Sequence, residues 1–179
     1  QEAAPLITGY QNDVILNKEL FEKIKFCYEN LNLDKLEPEQ KTLLEKQFKT
    51  FRRNGALLSE SKKNKLRLID SELSTLSLSF GENVLQDTNS FELYVKDQNK
   101  IKNIPENILK IAKEKAESKK SKGWLFTLDF PCYVAFMKYA ENRELRKKMN
   151  LAFGKRGFNK KGNNNIPVIS KIINLRKNR

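Results

Sequence analysis

The chain has 179 residues, 39% hydrophobic and 32% charged, with a formal net charge of +13. That length supports one sizeable core, while the low counts of Gly (7) and Pro (5) exclude a turn-rich all-β chain. No apolar run approaches the roughly 20 residues needed to span a bilayer, and with no histidine in the sequence a papain-like or histidine-assisted thiol nucleophile is excluded within it.

Residues 1–16 show little periodicity and read as an extended lead-in, packed through Leu6, Ile7 and Val14-Ile15-Leu16. They carry no charged-then-apolar leader pattern and no initiator Met, so the chain is expected to begin inside a longer product. Asn17 is placed to cap a helix over residues 18–32, whose apolar positions Leu20/Phe21, Ile24, Cys27/Tyr28 and Leu31 follow helical spacing. A second helix starts near Pro38, with acidic residues in its first turn. Its stripe is Leu43/Leu44, Phe48 and Phe51, and it ends at Asn54-Gly55.

Ser59 reads as the cap of the longest helix, over residues 60–87, with a seam of Leu66, Ile69, Leu73, Leu76, Phe80 and Val84. Leu68, Leu78 and Leu85 are expected to widen its buried face. Ser71, Ser74, Thr75, Ser77 and Ser79 lower its intrinsic propensity, so packing must hold it. Residues 91–95 alternate as a short strand. Pro105 opens a helix to about residue 119, with Ile108, Ile111/Ala112 and Ala116 inward. Residues 124–128 form a second strand, set to pair antiparallel with the first as a ribbon lying on a helix. Pro131 suits the first turn of a helix carrying Tyr133, Phe136, Met137 and Ala140. Asn142 caps the next, with Leu145, Met149 and Ala152/Phe153 on one face and Gly154 and Gly157 at its end. A polar loop over 158–165 leads to a last helix at Pro167 bearing Ile169, Ile172/Ile173 and Leu175. That helix stops while still amphipathic, and the natural protein is expected to continue.

The basic pairs Lys62-Lys63, Lys119-Lys120, Lys147-Lys148, Lys160-Lys161 and Arg176-Lys177 are scattered among apolar helical positions. They read as solvated faces rather than as the gathered surface that phosphate contact needs. Cys27 and Cys132 could form a disulfide, but two buried free thiols are the expectation. The acidic pairs Glu141/Glu144 and Asp70/Glu72 read as surface charges rather than metal ligands. Tyr133, Tyr139 and Trp124 read as core or interface aromatics.

The most distinctive stretch is residues 123–157. Phe126-Thr127-Leu128, Pro131, Tyr133, Phe136-Met137, Tyr139-Ala140, Asn142-Arg143, Leu145-Arg146, Lys148-Met149, Ala152-Phe153 and Arg156-Gly157 resemble the thimet oligopeptidase, oligopeptidase A and peptidyl-dipeptidase family of zinc metallopeptidases. Within that family the likeness is read as closest to the bacterial peptidyl-dipeptidase branch. Glu72-Leu73, Leu76-Ser77, Phe80, Asn83-Val84-Leu85 and Thr88-Asn89 to Phe91 extend the likeness, as do residues 17–21, Leu44-Glu45-Lys46, Phe51-Arg52-Arg53 and Leu58-Ser59 upstream. The resemblance implies an internal, mostly helical part of the N-terminal half of such an enzyme. By resemblance, the parent hydrolyses short peptides at a zinc ion held by two histidines and a more distant glutamate. The Glu within H-E-x-x-H activates the water, and the helical N-terminal region forms one wall of a channel admitting short peptides. Without histidine this chain cannot present that motif, and no catalytic, cofactor-binding or metal residue is assigned to it.

The expected fold is mainly α: a single elongated multi-helix domain over residues 1–179 with at most a small two-stranded antiparallel ribbon. Its expected partners are the missing catalytic half of the same polypeptide and, in the parent, short peptides. No nucleic acid or membrane partner is expected. The expected setting is cytoplasmic, with a periplasmic or exported one open. The alternatives are a stand-alone helical binding module and a basic nucleic-acid-binding protein. The last predicts salt-sensitive retention on immobilised heparin; elution at low salt, measured against a compact basic standard, is the outcome expected here.

Overall fold

A computed structural model describes residues 3–32, 35–159 and 162–179. Among them the chain is mainly α. The elements are α1 (Ala3–Ile15), α2 (Lys18–Asn30), α3 (Pro38–Arg53), α4 (Glu60–Ser90), β1 (Leu93–Val95), α5 (Glu106–Ser118), β2 (Trp124–Phe126), α6 (Phe130–Tyr139), α7 (Arg143–Gly154) and α8 (Ile166–Asn178). A short 3-10 turn, Gln98–Ile101, lies between β1 and α5. No helix of the described residues is long and apolar enough to cross a membrane. The contacts divide the chain into two compact units, Gln1–Leu78 with Lys171–Arg179, and Ser79–Ser170.

The first unit is built on α2 and α3, which pack together. The Asn17 side chain accepts from the Leu20 N–H at 2.9 Å and starts α2. Pro38 sits in the first turn of α3, whose preceding Glu37 N–H donates to the Gln40 side chain. Phe21, Phe51 and Ala56 are the buried centre. Phe48 stacks on Tyr28 at 4.1 Å and on Phe21 at 5.9 Å between ring centroids, which adds to the area term.

The lead-in expected over residues 1–16 is instead a helix, α1. Periodicity fails to reveal it because Leu6, Ile7 and Tyr10 are exposed while Asn12 is buried. What holds it comes from α4. Lys63, only 3% exposed, donates to the Leu16 carbonyl at 3.0 Å and to Glu60 at 3.1 Å. A cation there also complements the C-terminal end of the helix dipole. Arg67 pairs with Asp13 at 2.5 Å. The Lys62-Lys63 run is therefore not a solvated face throughout: Lys63 is turned inward. Leu43 on α3 and Leu68 and Leu85 on α4 are exposed rather than part of the buried faces expected of them.

The second unit carries the larger core. β1 and β2 pair antiparallel in the register Leu93↔Phe126, Tyr94↔Leu125, Val95↔Trp124, and α5 packs on β2. Alternation places Leu93 and Val95 inward and Tyr94 outward. Phe126 and Phe136 meet edge to face at 4.8 Å in a core shared with Ile101, Ile104, Leu128 and Met149. The Asn142 side chain accepts from the Leu145 N–H at 3.0 Å and starts α7, and Arg146 donates to the Ala140 carbonyl. Tyr133 stacks on Phe153 at 3.9 Å and donates to Asn150 at 3.0 Å. Tyr133 and Trp124 thus pack on the core as expected, while Tyr139 is exposed.

The ends of the loop after α7 are held by polar contacts, while the basic pair Lys160-Lys161 lies outside the described residues. Asp87 on α4 accepts from the Gly157 N–H and from the Asn163 side chain, both at 2.7 Å. Asn165 is fully buried. Its amide accepts from Asn83 at 2.8 Å and donates to the Phe80 carbonyl at 3.2 Å. Gly157 has φ +72, and a Cβ there would lie 2.5 Å from the Asn165 amide nitrogen.

Two glycines of this unit give opposite expectations. Gly123 has φ +100, and a Cβ would run into the Val95 carbonyl oxygen. Gly81, within α4, has open space around it. Gly123→Ala should destabilise by about 2 kcal/mol or more, and Gly81→Ala should stabilise by roughly 0.5–1 kcal/mol, both read from urea denaturation midpoints.

Candidate functional site

The second unit brings three polar side chains together where β2 leads into α6. Lys115 on α5 donates to Thr127 at 3.1 Å and to Asp129 at 2.5 Å, and Thr127 donates to Asp129 at 2.8 Å. The local reason is the turn: Asp129 precedes α6 and Pro131 occupies its first turn, so the extended strand must reverse at these residues. Lys115, followed by the Thr127 hydrogen bond, holds the Asp129 carboxyl below its usual range.

Beside this group lies a cavity of ≈ 210 Å³. Ile108, Ile111 and Ala112 of α5 line it with Leu125, Pro131 and Cys132, and Lys115 and Asp129 complete the lining. Cys132 is a free thiol, half-buried, as is Cys27. Burial pushes the Cys132 thiol up, outweighing the hydrogen bonds from Thr127 that act the other way. Cys132 stands in the first turn of a helix, where a thiolate is ordinarily favoured, yet here desolvation wins and the thiol stays protonated at neutral pH.

On the outer face of the ribbon, Lys119 donates to Glu92 at 2.6 Å and the Tyr94 hydroxyl donates to the other oxygen at 2.9 Å. Lys119 chiefly, then Tyr94, holds the Glu92 carboxyl low, and Glu92 in turn raises the Tyr94 hydroxyl.

The first unit holds an open cleft of ≈ 730 Å³ lined by Thr8, Gln11 and Asn12 of α1 and by Ser74 and Ser77 of α4. The Asp70–Arg179 pair closes one side at 2.5 Å. The Asp70 side chain is only 11% exposed, so it is a partly buried ion-pair partner rather than the surface charge expected of it. That ion pair raises Arg179 further. Glu141 accepts from Asn103 at 2.5 Å. Glu72 and Glu144 are exposed.

These groupings do not make a metal centre. Among the described residues no three His, Cys, Asp or Glu side chains gather as ligands, and the sequence has no histidine. The residues present therefore do not fit the zinc that the family resemblance implies, and no chemical step is derived through zinc here. The Lys115–Thr127–Asp129 group went unseen in the sequence. Its one local signal was Thr127-x-Asp129 ahead of a proline, and Lys115 joins it from another helix.

Set beside known proteins, no family model matches the chain. Oligopeptidase A of Haemophilus influenzae is 32% identical over 180 residues, which cover 98% of this chain and 26% of that protein. A probable cytosolic oligopeptidase A of Arabidopsis thaliana is 30% identical over 184 residues, with 98% and 26% covered. Dipeptidyl carboxypeptidase of Escherichia coli is 26% identical over 166 residues, with 92% and 24% covered. Of these, the oligopeptidases A are nearer in sequence than the dipeptidyl carboxypeptidase. The chain spans about a quarter of the length of the curated relatives it matches.

The Lys115–Asp129 pair makes a pH prediction. A carboxyl held low in the folded state adds stability that is present above its unfolded pKa and fades as pH falls through the folded value, here below about pH 4. In Lys115→Met the Asp129 midpoint should move up toward the ordinary carboxylate range, followed by NMR titration of the side-chain carboxyl carbon.

Proposed function

We propose that this chain, which belongs by sequence to the oligopeptidase A and thimet oligopeptidase family, is a non-catalytic helical part of a larger zinc peptidase acting on short peptides. The observation that carries the proposal is the asymmetry of the match: 98% of this chain aligns with 26% of an oligopeptidase A. In this reading the metal ligands and the activated water belong to the rest of the parent polypeptide. This chain contributes to a wall of the substrate channel.

Two features support a covered, non-chemical role. Large apolar side chains stand in solvent in both units: Leu6, Tyr10, Phe26 and Leu68 in the first and Phe130 in the second are each at least 65% exposed. In this reading part of that apolar surface is covered by the rest of the parent polypeptide. The polar groups that do converge, at Lys115 and at Asp70, are tied up in ion pairs rather than poised as a nucleophile with its base.

The test is to express the reading frame with the coding sequence on both sides of this segment. The product should cleave short quenched-fluorescence peptides, leave folded proteins intact, and lose activity to a chelator. A product carrying an H-E-x-x-H segment yet inert toward peptides overturns the proposal. A reading frame that closes at or soon after Arg179 replaces it with a stand-alone helical binding module.

A further inference from the structure

Lys115, Thr127 and Asp129 satisfy one another beside the cavity between α5 and the start of α6, and the cavity's other lining residues are Ile108, Ile111, Ala112, Leu125, Pro131 and Cys132. At ≈ 210 Å³ it exceeds the roughly 150 Å³ apolar cavity that stays dry and takes up benzene. It is therefore the right size for one bulky apolar side chain.

Ile111 in its wall is partly open to solvent, and α6 carries further exposed apolar side chains. Ile111 is 50% exposed, Phe130 70% and Val134 41%. Phe130 precedes Pro131 on α6, and Val134 lies one helical turn after Phe130. An apolar pocket with the half-exposed Ile111 in its wall offers a contact whose energy is concentrated at one anchor.

From this we infer that the α5–α6 cavity receives a bulky apolar side chain from the remainder of the same polypeptide, making this patch a permanent contact within the parent. The inference rests on the reading that the chain is part of a longer peptidase. It commits to that occupant for two reasons. The curated relatives are about four times as long as the stretch they share with this chain, so a large body of polypeptide is available to cover the patch. The polar groups at the cavity are already paired with each other, whereas a peptide substrate held there would need donors and acceptors for its backbone. A lasting apolar seat needs none.

The experiment uses the full gene product and the variant Ile111→Glu. In solvent that exchange is close to neutral, since glutamate is a good helix former. Under a covering contact it buries a carboxylate without a partner. The variant should lose thermal stability clearly, and alkylation of Cys132, followed by mass spectrometry of its peptide, should speed up on the order of tenfold as the contact opens. Ile111→Leu should change neither. Phe130→Ala, which removes apolar area without adding charge, should shift both readouts in the same direction by less.

An unchanged melting temperature and unchanged Cys132 reactivity in both Ile111→Glu and Phe130→Ala would overturn the inference. So would Cys132 protection that appears only on adding peptide, or that rises with protein concentration, which would assign the patch to substrate or to a second copy. A reading frame without a further domain removes the parent reading itself. A longer, active peptidase indifferent to these variants removes only this contact.

Discussion

A fully buried asparagine must have its hydrogen-bonding groups met inside the protein, and the second unit is arranged so that those of Asn165 are. Its side-chain oxygen accepts from Asn83, its amide nitrogen donates to the Phe80 carbonyl, and its backbone N–H donates to the Gly157 carbonyl at 2.7 Å. Its own carbonyl accepts from Ile169 at 2.8 Å and so begins α8. One residue thereby ties residues of α4, the end of the loop after α7 and the start of α8. Asp87 fastens the same loop from the other side through Gly157 and Asn163. Leaving any one of these buried groups unmet costs about 1–3 kcal/mol, so they hold Gly157, Asn163 and Asn165 against α4.

The two units differ in how they are held. The second has an extended apolar core in which Phe126, Phe136 and Met149 are fully buried, with the ribbon, the 3-10 turn and three helices contributing. The first centres on a small cluster, Phe21, Phe51 and Ala56, and a stack of aromatic rings. Its α1 is attached at its C-terminal end by charged groups of α4, Lys63 and Arg67. The outer side of α1 carries the exposed Leu6, Ile7 and Tyr10.

Much of this was legible in the sequence wherever the signal is local. Asn17 and Asn142 cap helices because a side-chain oxygen meets the N–H three residues on. Pro38 and Pro131 sit in first turns for the reason the ring dictates. Alternation over residues 91–95 marked the first strand of the ribbon. What could not be read is what depends on partners distant in sequence. Periodicity finds an apolar face but not what covers it, so Leu43, Leu68 and Ile111 look like core residues and are exposed. Lys63 and Asp70 look like surface charges and are turned inward by Leu16 and Arg179. The α5–α6 cavity was invisible for the same reason: it exists only where three elements meet. The family resemblance was carried by residues 123–157 in particular, and its chemistry stopped at the absence of histidine.

Trp124 is the only tryptophan of the chain, and it lies half-buried on β2 against the core of the second unit. Tryptophan emission is therefore a private signal of that unit. Melting of the first unit, whose reporters are Tyr10 and Tyr28, passes unseen at the red edge of the spectrum while the far-ultraviolet dichroism of its helices falls. Optical traces that fail to overlay would measure, without any mutation, how far the two units unfold independently.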